Sequence, residues 1–166
     1  SQTKYDEYFK EVYRIVKSLP EKKLVVKPHP GPLLTKYVEN LVKEIDPSIT
    51  IIRNTDLHEL INECEVLITF NNSTTALEAI SLNKPVISLQ TESWANEDDI
   101  AQAGAVVSIS NIKDCEKEIK KILFDTQFRK QQTEKGSNFL RKYMNNPGQA
   151  SKSVAEIFKN FLDNSK

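Results

Sequence analysis

The chain has 166 residues, enough for one domain with a substantial hydrophobic core. Its 23 basic and 23 acidic residues give a formal net charge of zero, so the composition favours neither a nucleic-acid-binding protein nor a binder of anionic membranes. No segment approaches the ~18 apolar residues of a membrane span, and we expect no transmembrane segment or signal peptide in these residues.

The first part of the chain alternates helical and strand patterns. Apolar residues at helical spacing predict helices, and short β-branched runs predict strands that are covered on both faces. Prolines and capping residues separate these segments. In chain order the patterns predict a helix at Tyr5–Lys17, a strand at Leu24–Val26, a helix at Leu33–Ile45, a strand at Ile49–Ile52, a helix from the N-cap Asp56 to Cys64, and a strand at Val66–Phe70.

The alternation continues to residue 124, and only helical patterns follow it. The remaining predicted elements are a helix at Ala76–Leu82, strands at Pro85–Leu89 and Ala105–Ile109, a short helix at Asp98–Ala103, and helices at Lys113–Phe124, Phe128–Tyr143 and Ala150–Leu162. Such alternation predicts an α/β fold with a Rossmann-like, doubly wound parallel sheet. We expect residues 1–166 to form one domain, with residues 126–166 as a helical C-terminal extension.

The sequence opens with a helix, whereas doubly wound domains usually begin with a strand. It also has only four glycines and neither a GxGxxG nor a Walker A pattern, which disfavours a classical dinucleotide or P-loop site. We therefore expect the domain to be excised from a longer, two-domain chain.

Cysteine and histidine are too scarce for a redox or metal site. Cys64 and Cys115 have neither C-x-x-C spacing nor the density of a disulfide scaffold, so we expect thiols in a reducing compartment. His29 and His58 are the only histidines, which excludes a histidine-rich metal site. The sequence predicts neither a bound metal nor a resident cofactor.

Three hydroxyl residues follow the central strand, at the start of a predicted helix. The turn contains Asn71 and Asn72, which tolerate left-handed backbone geometry, and then Ser73, Thr74 and Thr75. N-terminal N–H groups of a helix lack internal partners, and the helix dipole favours negative charge there. Ordinary N-capping would explain one of the three hydroxyls, so we interpret the cluster as a candidate phosphate site.

Other polar residues are expected at the same edge of the sheet. His29 follows a predicted strand between two prolines and would donate a hydrogen bond to phosphate, or else pack in a turn. Lys27 would add charge or remain solvated. Glu78 would accept ribose hydroxyls or complement the helix dipole, and Trp94 would stack on a base or pack against another domain. No serine–histidine–acid set is placed for catalysis.

Two motifs resemble a known family. The sequence KPHP at Lys27–Pro30, followed by NNSTTALEAISLNKPVI at Asn71–Ile87, resembles the C-terminal half of GT-B-type glycosyltransferases. The nearest groups are the HP-motif transferases of capsules and teichoic acids, the CDP-glycerol glycerophosphotransferases, and the UDP-N-acetylglucosamine 2-epimerase-like proteins. The resemblance implies that His29 contacts the donor phosphates, that Ser73–Thr75 bind phosphate, and that Glu78 contacts the ribose.

The resemblance further implies the donor-binding domain of a nucleotide-sugar-dependent glycosyltransferase of surface polysaccharide or glycoconjugate synthesis. His29 would have the catalytic role of stabilising the leaving diphosphate, and Lys27, Asn72, Ser73–Thr75 and Glu78 would complete the site for a UDP-, CMP- or CDP-linked sugar. An N-terminal domain of the same chain would be its partner, and the fragment alone would be inactive. The expected location is the cytoplasm, or the inner membrane face through the parent protein. Half of a 2-epimerase-like enzyme and a non-catalytic nucleotide-binding or docking module remain the alternatives.

Overall fold

Helices and strands alternate along the chain as the sequence predicts, and the computed structural model describes residues 2–71, 73–92, 99–144 and 148–163. The strands are β1 (Val25–Val26), β2 (Thr50–Ile51), β3 (Leu67–Phe70), β4 (Val86–Leu89) and β5 (Val107–Ile109). The helices are α1 (Gln2–Lys17), α2 (Pro32–Ile45), α3 (Leu57–Glu63), α4 (Thr74–Ser81), α5 (Asp99–Gln102), α6 (Cys115–Phe124), α7 (Thr126–Tyr143) and α8 (Ala150–Asp163), and a 3₁₀ turn at Ile112–Asp114 precedes α6. The predicted α/β, Rossmann-like class is confirmed.

The strands form two parallel ladders instead of one uninterrupted sheet. β1 pairs with β2, and β3, β4 and β5 pair in that order, so all the described strand pairs are parallel. The β1–β2 ladder is short because each of these strands has only two residues. Apolar packing connects the two ladders, since Leu24 and Phe70 each pack against the core clusters of both.

Helices cover both faces of the three-stranded sheet, which makes the fold doubly wound. Consecutive side chains of a strand point to opposite faces. Ile87 therefore packs with α1 and α6, including the fully buried Ile119, whereas Val86 packs with α3 and α4, including Ile61. All four residues of β4 are buried, and three of them are apolar, as expected for a strand that is covered on both faces.

The C-terminal helices differ in how they pack. α7 packs closely on α4. A Cβ atom added at Gly136 of α7 would lie only 2.9 Å from Cγ2 of Ile80 in α4. Phe139 and Leu140 of α7 also pack against the core. α8 has no buried residue, and its large apolar side chains are exposed at Val154, Ile157, Phe158, Phe161 and Leu162.

Both cysteines are free thiols, Cys115 buried and Cys64 partly buried. Burial is the main cause that raises the pKa of Cys115 to about 11, and burial also raises the pKa of Cys64. Neither side chain has the depressed pKa of a reactive nucleophile. None of the described helices is long and apolar enough to cross a membrane.

Asp46 joins the end of α2 to α1. Its carboxylate accepts hydrogen bonds from the Ser48 hydroxyl at 2.6 Å, from the Tyr13 hydroxyl, and from the Ser48 backbone N–H at 2.9 Å, and Lys17 Nζ lies 3.3 Å away. The Ser48 hydroxyl, followed by Tyr13, lowers the pKa of this carboxyl well below its usual range.

Replacing a buried isoleucine of the sheet with alanine should destabilise the fold strongly. Ile87 is 0% exposed in the central strand, so Ile87→Ala is expected to lower the free energy of unfolding by about 2–5 kcal/mol. Ile157→Ala is the matched control, because Ile157 is 67% exposed on α8 and its loss should change stability by less than about 0.5 kcal/mol. Urea unfolding curves measure both values, and equal effects would contradict the described core.

Asp46 should stabilise the protein fully above about pH 4 and progressively less as the pH falls below that value. Its pKa is lower in the folded chain than the ordinary value of ~3.9, so its contribution is present above that value and is lost as the pH falls towards the folded pKa. Asp46→Asn is therefore expected to melt at a lower temperature than the wild type at pH 7. The difference in melting temperature between the two proteins should be smaller at pH 3. A difference that does not change with pH would show that the ionised carboxylate does not cause the stabilisation.

Candidate functional site

The residues that follow β1 to β4 form what we call the carboxyl edge. Lys27–Pro30 follow β1, Arg53 follows β2, Asn71 and Ser73 follow β3, and Gln90–Glu92 follow β4. Contacts between the segments that follow neighbouring strands show that these strand ends lie on one side of the molecule. The Lys27 ammonium donates to the carbonyl of Arg53 at 2.8 Å, and His58 at the start of α3 contacts Glu78 of α4. Open α/β sheets bind ligands outside such strand ends.

His29 is exposed in the turn between β1 and α2. Its Nδ1 accepts the backbone N–H of Gly31 at 3.1 Å, and the hydroxyl of Thr35 donates to its carbonyl at 2.6 Å. A Cβ atom added at Gly31 would lie 3.2 Å from this ring nitrogen, so a larger residue there would displace the imidazole slightly. With Nδ1 as an acceptor, the neutral ring carries its proton on Nε2 and donates a hydrogen bond from that atom.

Ser73 occupies the N-cap of α4, but its hydroxyl makes no capping hydrogen bond. The helix starts at Thr74, which is exposed, and Thr75 is partly buried. The three hydroxyls therefore lie at the helix start that the sequence predicts, and capping does not occupy the Ser73 side chain. Asn72, the remaining residue of the predicted phosphate site, lies outside the described residues.

Asn71 fixes the start of this turn, which sequence reasoning only partly anticipated. Its φ of +50° confirms the predicted left-handed geometry. Its side-chain oxygen accepts the backbone N–H groups of Thr91 at 2.9 Å and Glu92 at 3.2 Å. The Ser88 hydroxyl donates to its carbonyl at 2.8 Å. Asn71 thus ties the turn before α4 to the end of β4.

Buried polar side chains extend the carboxyl edge into the sheet. Thr69, Ser88 and Gln90 are all buried, and Gln90 Nε2 donates to the Ser88 hydroxyl at 3.0 Å. Within the described part of the chain, Thr69 Oγ1 and Gln90 Oε1 are buried without a hydrogen-bond partner. The sequence predicts no functional role for these three residues. They lie in or directly after β3 and β4, and those strands are predicted from the apolar residues around them.

Glu78 pairs with His58, a residue to which the sequence gave no role. His58 Nε2 lies 3.3 Å from Glu78 Oε2, and the two side chains are 61% and 37% exposed. An exposed pair of this kind contributes about 0–1 kcal/mol to stability. The sequence does not indicate this pair, because the two residues meet only when α3 packs against α4.

The structure brings together only some of the predicted site residues. The hydrogen bonds of His29 lie within the β1–α2 turn, and none of those described joins it to Ser73–Thr75. Lys27 is engaged by the Arg53 carbonyl, and Trp94 lies outside the described residues. Two concavities of about 320 and 530 Å³ lie along α7 and are lined by none of these residues. Among the described residues, no group of three metal-binding side chains is clustered.

Comparison with protein families matches residues 1–103 to a LIC12162 family transferase. The matched part runs from α1 through α5 and contains every candidate residue of the carboxyl edge. Comparison with curated proteins finds no match. Since the family match covers 103 of the 166 residues, the chain belongs to the LIC12162 family of transferases.

Proposed function

We propose that the carboxyl edge binds the donor of a nucleotide-sugar-dependent glycosyltransferase. Membership of a transferase family supplies the reaction class. The finer assignment is supported by the kinds of groups at this edge. His29 and the Ser73–Thr75 turn would hold the diphosphate, and Glu78 would accept hydroxyls of the ribose.

The single observation that supports this proposal most is the unused hydroxyl at the start of α4. A serine at an N-cap normally accepts a backbone N–H of its own helix, but the Ser73 hydroxyl does not. The first-turn N–H groups and the positive end of the helix dipole favour an anion there. The adjacent hydroxyls of Thr74 and Thr75 add further donors, so a phosphate group suits this turn.

The proposed catalytic contribution is electrostatic. Glycosyl transfer from a nucleotide sugar leaves negative charge on the departing phosphate oxygens. Hydrogen-bond donors that are already in place stabilise this charge without reorganisation. The Gly31 N–H donates to Nδ1 of His29 and the Thr35 hydroxyl donates to its carbonyl, so the neutral ring would donate from Nε2 to those oxygens.

The resemblance of the KPHP and NNSTTALEA motifs implies a UDP-, CMP- or CDP-linked donor, and the described residues at this edge do not distinguish these bases. We further propose that a second domain of the same protein supplies the acceptor site and the catalytic base. Surface polysaccharide or glycoconjugate synthesis at the cytoplasmic side of the membrane would suit this chemistry.

The His58–Glu78 pair favours one alternative, a sugar-nucleotide 2-epimerase. Epimerisation requires general acids and bases in the cleft, and an imidazole beside a carboxylate is such a combination. Product analysis separates the two functions. A transferase releases nucleotide only when an acceptor is present, whereas an epimerase converts the sugar nucleotide without one.

Removing the His29 imidazole should weaken nucleotide binding without unfolding the protein. His29→Ala is expected to lose about 1–3 kcal/mol of binding free energy, because it removes a charge-assisted hydrogen bond to phosphate. The melting temperature should hardly change, since the side chain is exposed. Calorimetric titration of the full-length protein with UDP, CMP and CDP measures the affinity, and wild-type affinity in the variant would contradict the assignment.

Ser73→Ala should reduce affinity but leave stability unchanged. Losing an N-cap hydroxyl that bonds its own helix costs about 1 kcal/mol, but the Ser73 hydroxyl makes no such bond. We therefore expect a several-fold loss of nucleotide affinity with an unaltered melting temperature. Ser151→Ala, in the first turn of α8, is the matched control for both measurements. A lower melting temperature with unchanged affinity would assign the hydroxyl to capping.

A further inference from the structure

We infer that His58 is a positioning residue that orients the Glu78 carboxylate towards the hydroxyls of a bound ribose. This inference rests on the function proposed above, and it adds a residue from a different helix to that site. The contact that carries it is the 3.3 Å approach of His58 Nε2, on α3, to Glu78 Oε2, on α4.

The backbone holds His58 firmly at the carboxyl edge. The Asp56 side chain caps α3 by accepting the backbone N–H of His58 at 2.7 Å and that of Glu59 at 3.2 Å. This cap fixes the first turn of α3, and therefore the direction from which the imidazole approaches α4.

Packing below the pair fixes the distance between the two helices. Ile61 of α3 is fully buried in the same cluster as Ala76 and Ala79 of α4, and Leu57 packs against that cluster. The small alanine side chains allow α3 to approach closely. Both side chains of the pair are therefore carried by helices that share one apolar cluster.

The Glu78 carboxylate can contact His58 and a bound ribose at the same time. The imidazole engages Oε2, and Oε1 keeps its acceptor capacity for a ligand. A glutamate that is about one-third exposed on a helix otherwise samples several orientations, and ordering it on binding costs affinity. His58 removes part of this cost by holding the carboxylate in one orientation before the nucleotide arrives.

The test compares each ribonucleotide with its 2′-deoxy analogue in the full-length protein. The titrants are UDP, CMP and CDP, and the variants are His58→Ala, His58→Gln and Glu78→Gln. Glutamine at 58 retains an N–H donor close to the position of Nε2. Lys10→Ala is the matched control, because it breaks another exposed pair between two helices, Lys10 Nζ to Glu44 Oε1 at 3.5 Å.

We expect the wild type to bind the ribonucleotide about tenfold more tightly than the deoxy form. His58→Ala should reduce this preference only in part, to about threefold, because Glu78 itself remains. His58→Gln should retain most of the preference, and Lys10→Ala should retain all of it. His58→Ala should have no further effect in the Glu78→Gln background, because the two residues act through one contact. Melting temperatures should stay near the wild-type value, so lost preference would not reflect unfolding.

The experiment distinguishes failure of the proposed function from failure of the role of His58. A wild type that binds none of the three nucleotides overturns the proposed function together with the inference. A Glu78→Gln variant that keeps the ribose preference overturns the role of Glu78, and with it the inference, while leaving phosphate binding at Ser73 untouched. Loss of the preference in Glu78→Gln but not in His58→Ala overturns the role of His58 alone. Tighter ribonucleotide binding by His58→Ala also overturns it, because the imidazole would then compete with the ligand for Glu78.

Discussion

The carboxyl edge depends on one side chain, Asn71, which joins two strand ends at the point where the chain turns into α4. The left-handed backbone turns the chain away from β3, and the side-chain oxygen accepts two N–H groups beyond β4. The backbone N–H of Asn71 also donates to the carbonyl of Leu89 at 2.9 Å, so the parallel ladder extends into the turn. Ser73 and the first turn of α4 follow directly, and their placement relative to β4 derives from this junction.

Anion binding at this edge would rely on local donors, because the chain as a whole has no net charge to attract a phosphate. Both histidines lie at the edge, and so do Lys27 and Arg53, but most of these groups already have partners. Lys27 donates to a backbone carbonyl, Arg53 pairs with Glu39, and His58 pairs with Glu78. The imidazole Nε2 of His29 and the hydroxyls at the start of α4 are the groups best suited to an incoming phosphate.

The sequence predicted the features that depend on local interactions. The Asp56 cap, the left-handed Asn71 and the alternation of strands with helices are confirmed, because each follows from residues adjacent in the chain. The expected burial of the strands on both faces fails for β1 and β2, where Val25 and Thr50 are exposed. The pairing of His58 with Glu78 depends on how α3 packs against α4, across 20 residues of sequence, and no local pattern encodes it. The sequence also could not show that Lys27 would bond to the Arg53 carbonyl, since that contact needs β1 and β2 side by side.

Stability and the proposed function draw on different parts of this fold. The candidate side chains lie within the family-matched residues 1–103, whereas Ile119 and Ile122 of α6, outside that match, are fully buried against the sheet. Substitutions of His29, which is exposed, and of Ser73, which is only partly buried, should be tolerated because these side chains contribute little to the core. Affinity changes in His29 or Ser73 variants can therefore be assigned to ligand contacts, whereas the same measurement on Ile61 or Ala79 would mix binding with unfolding.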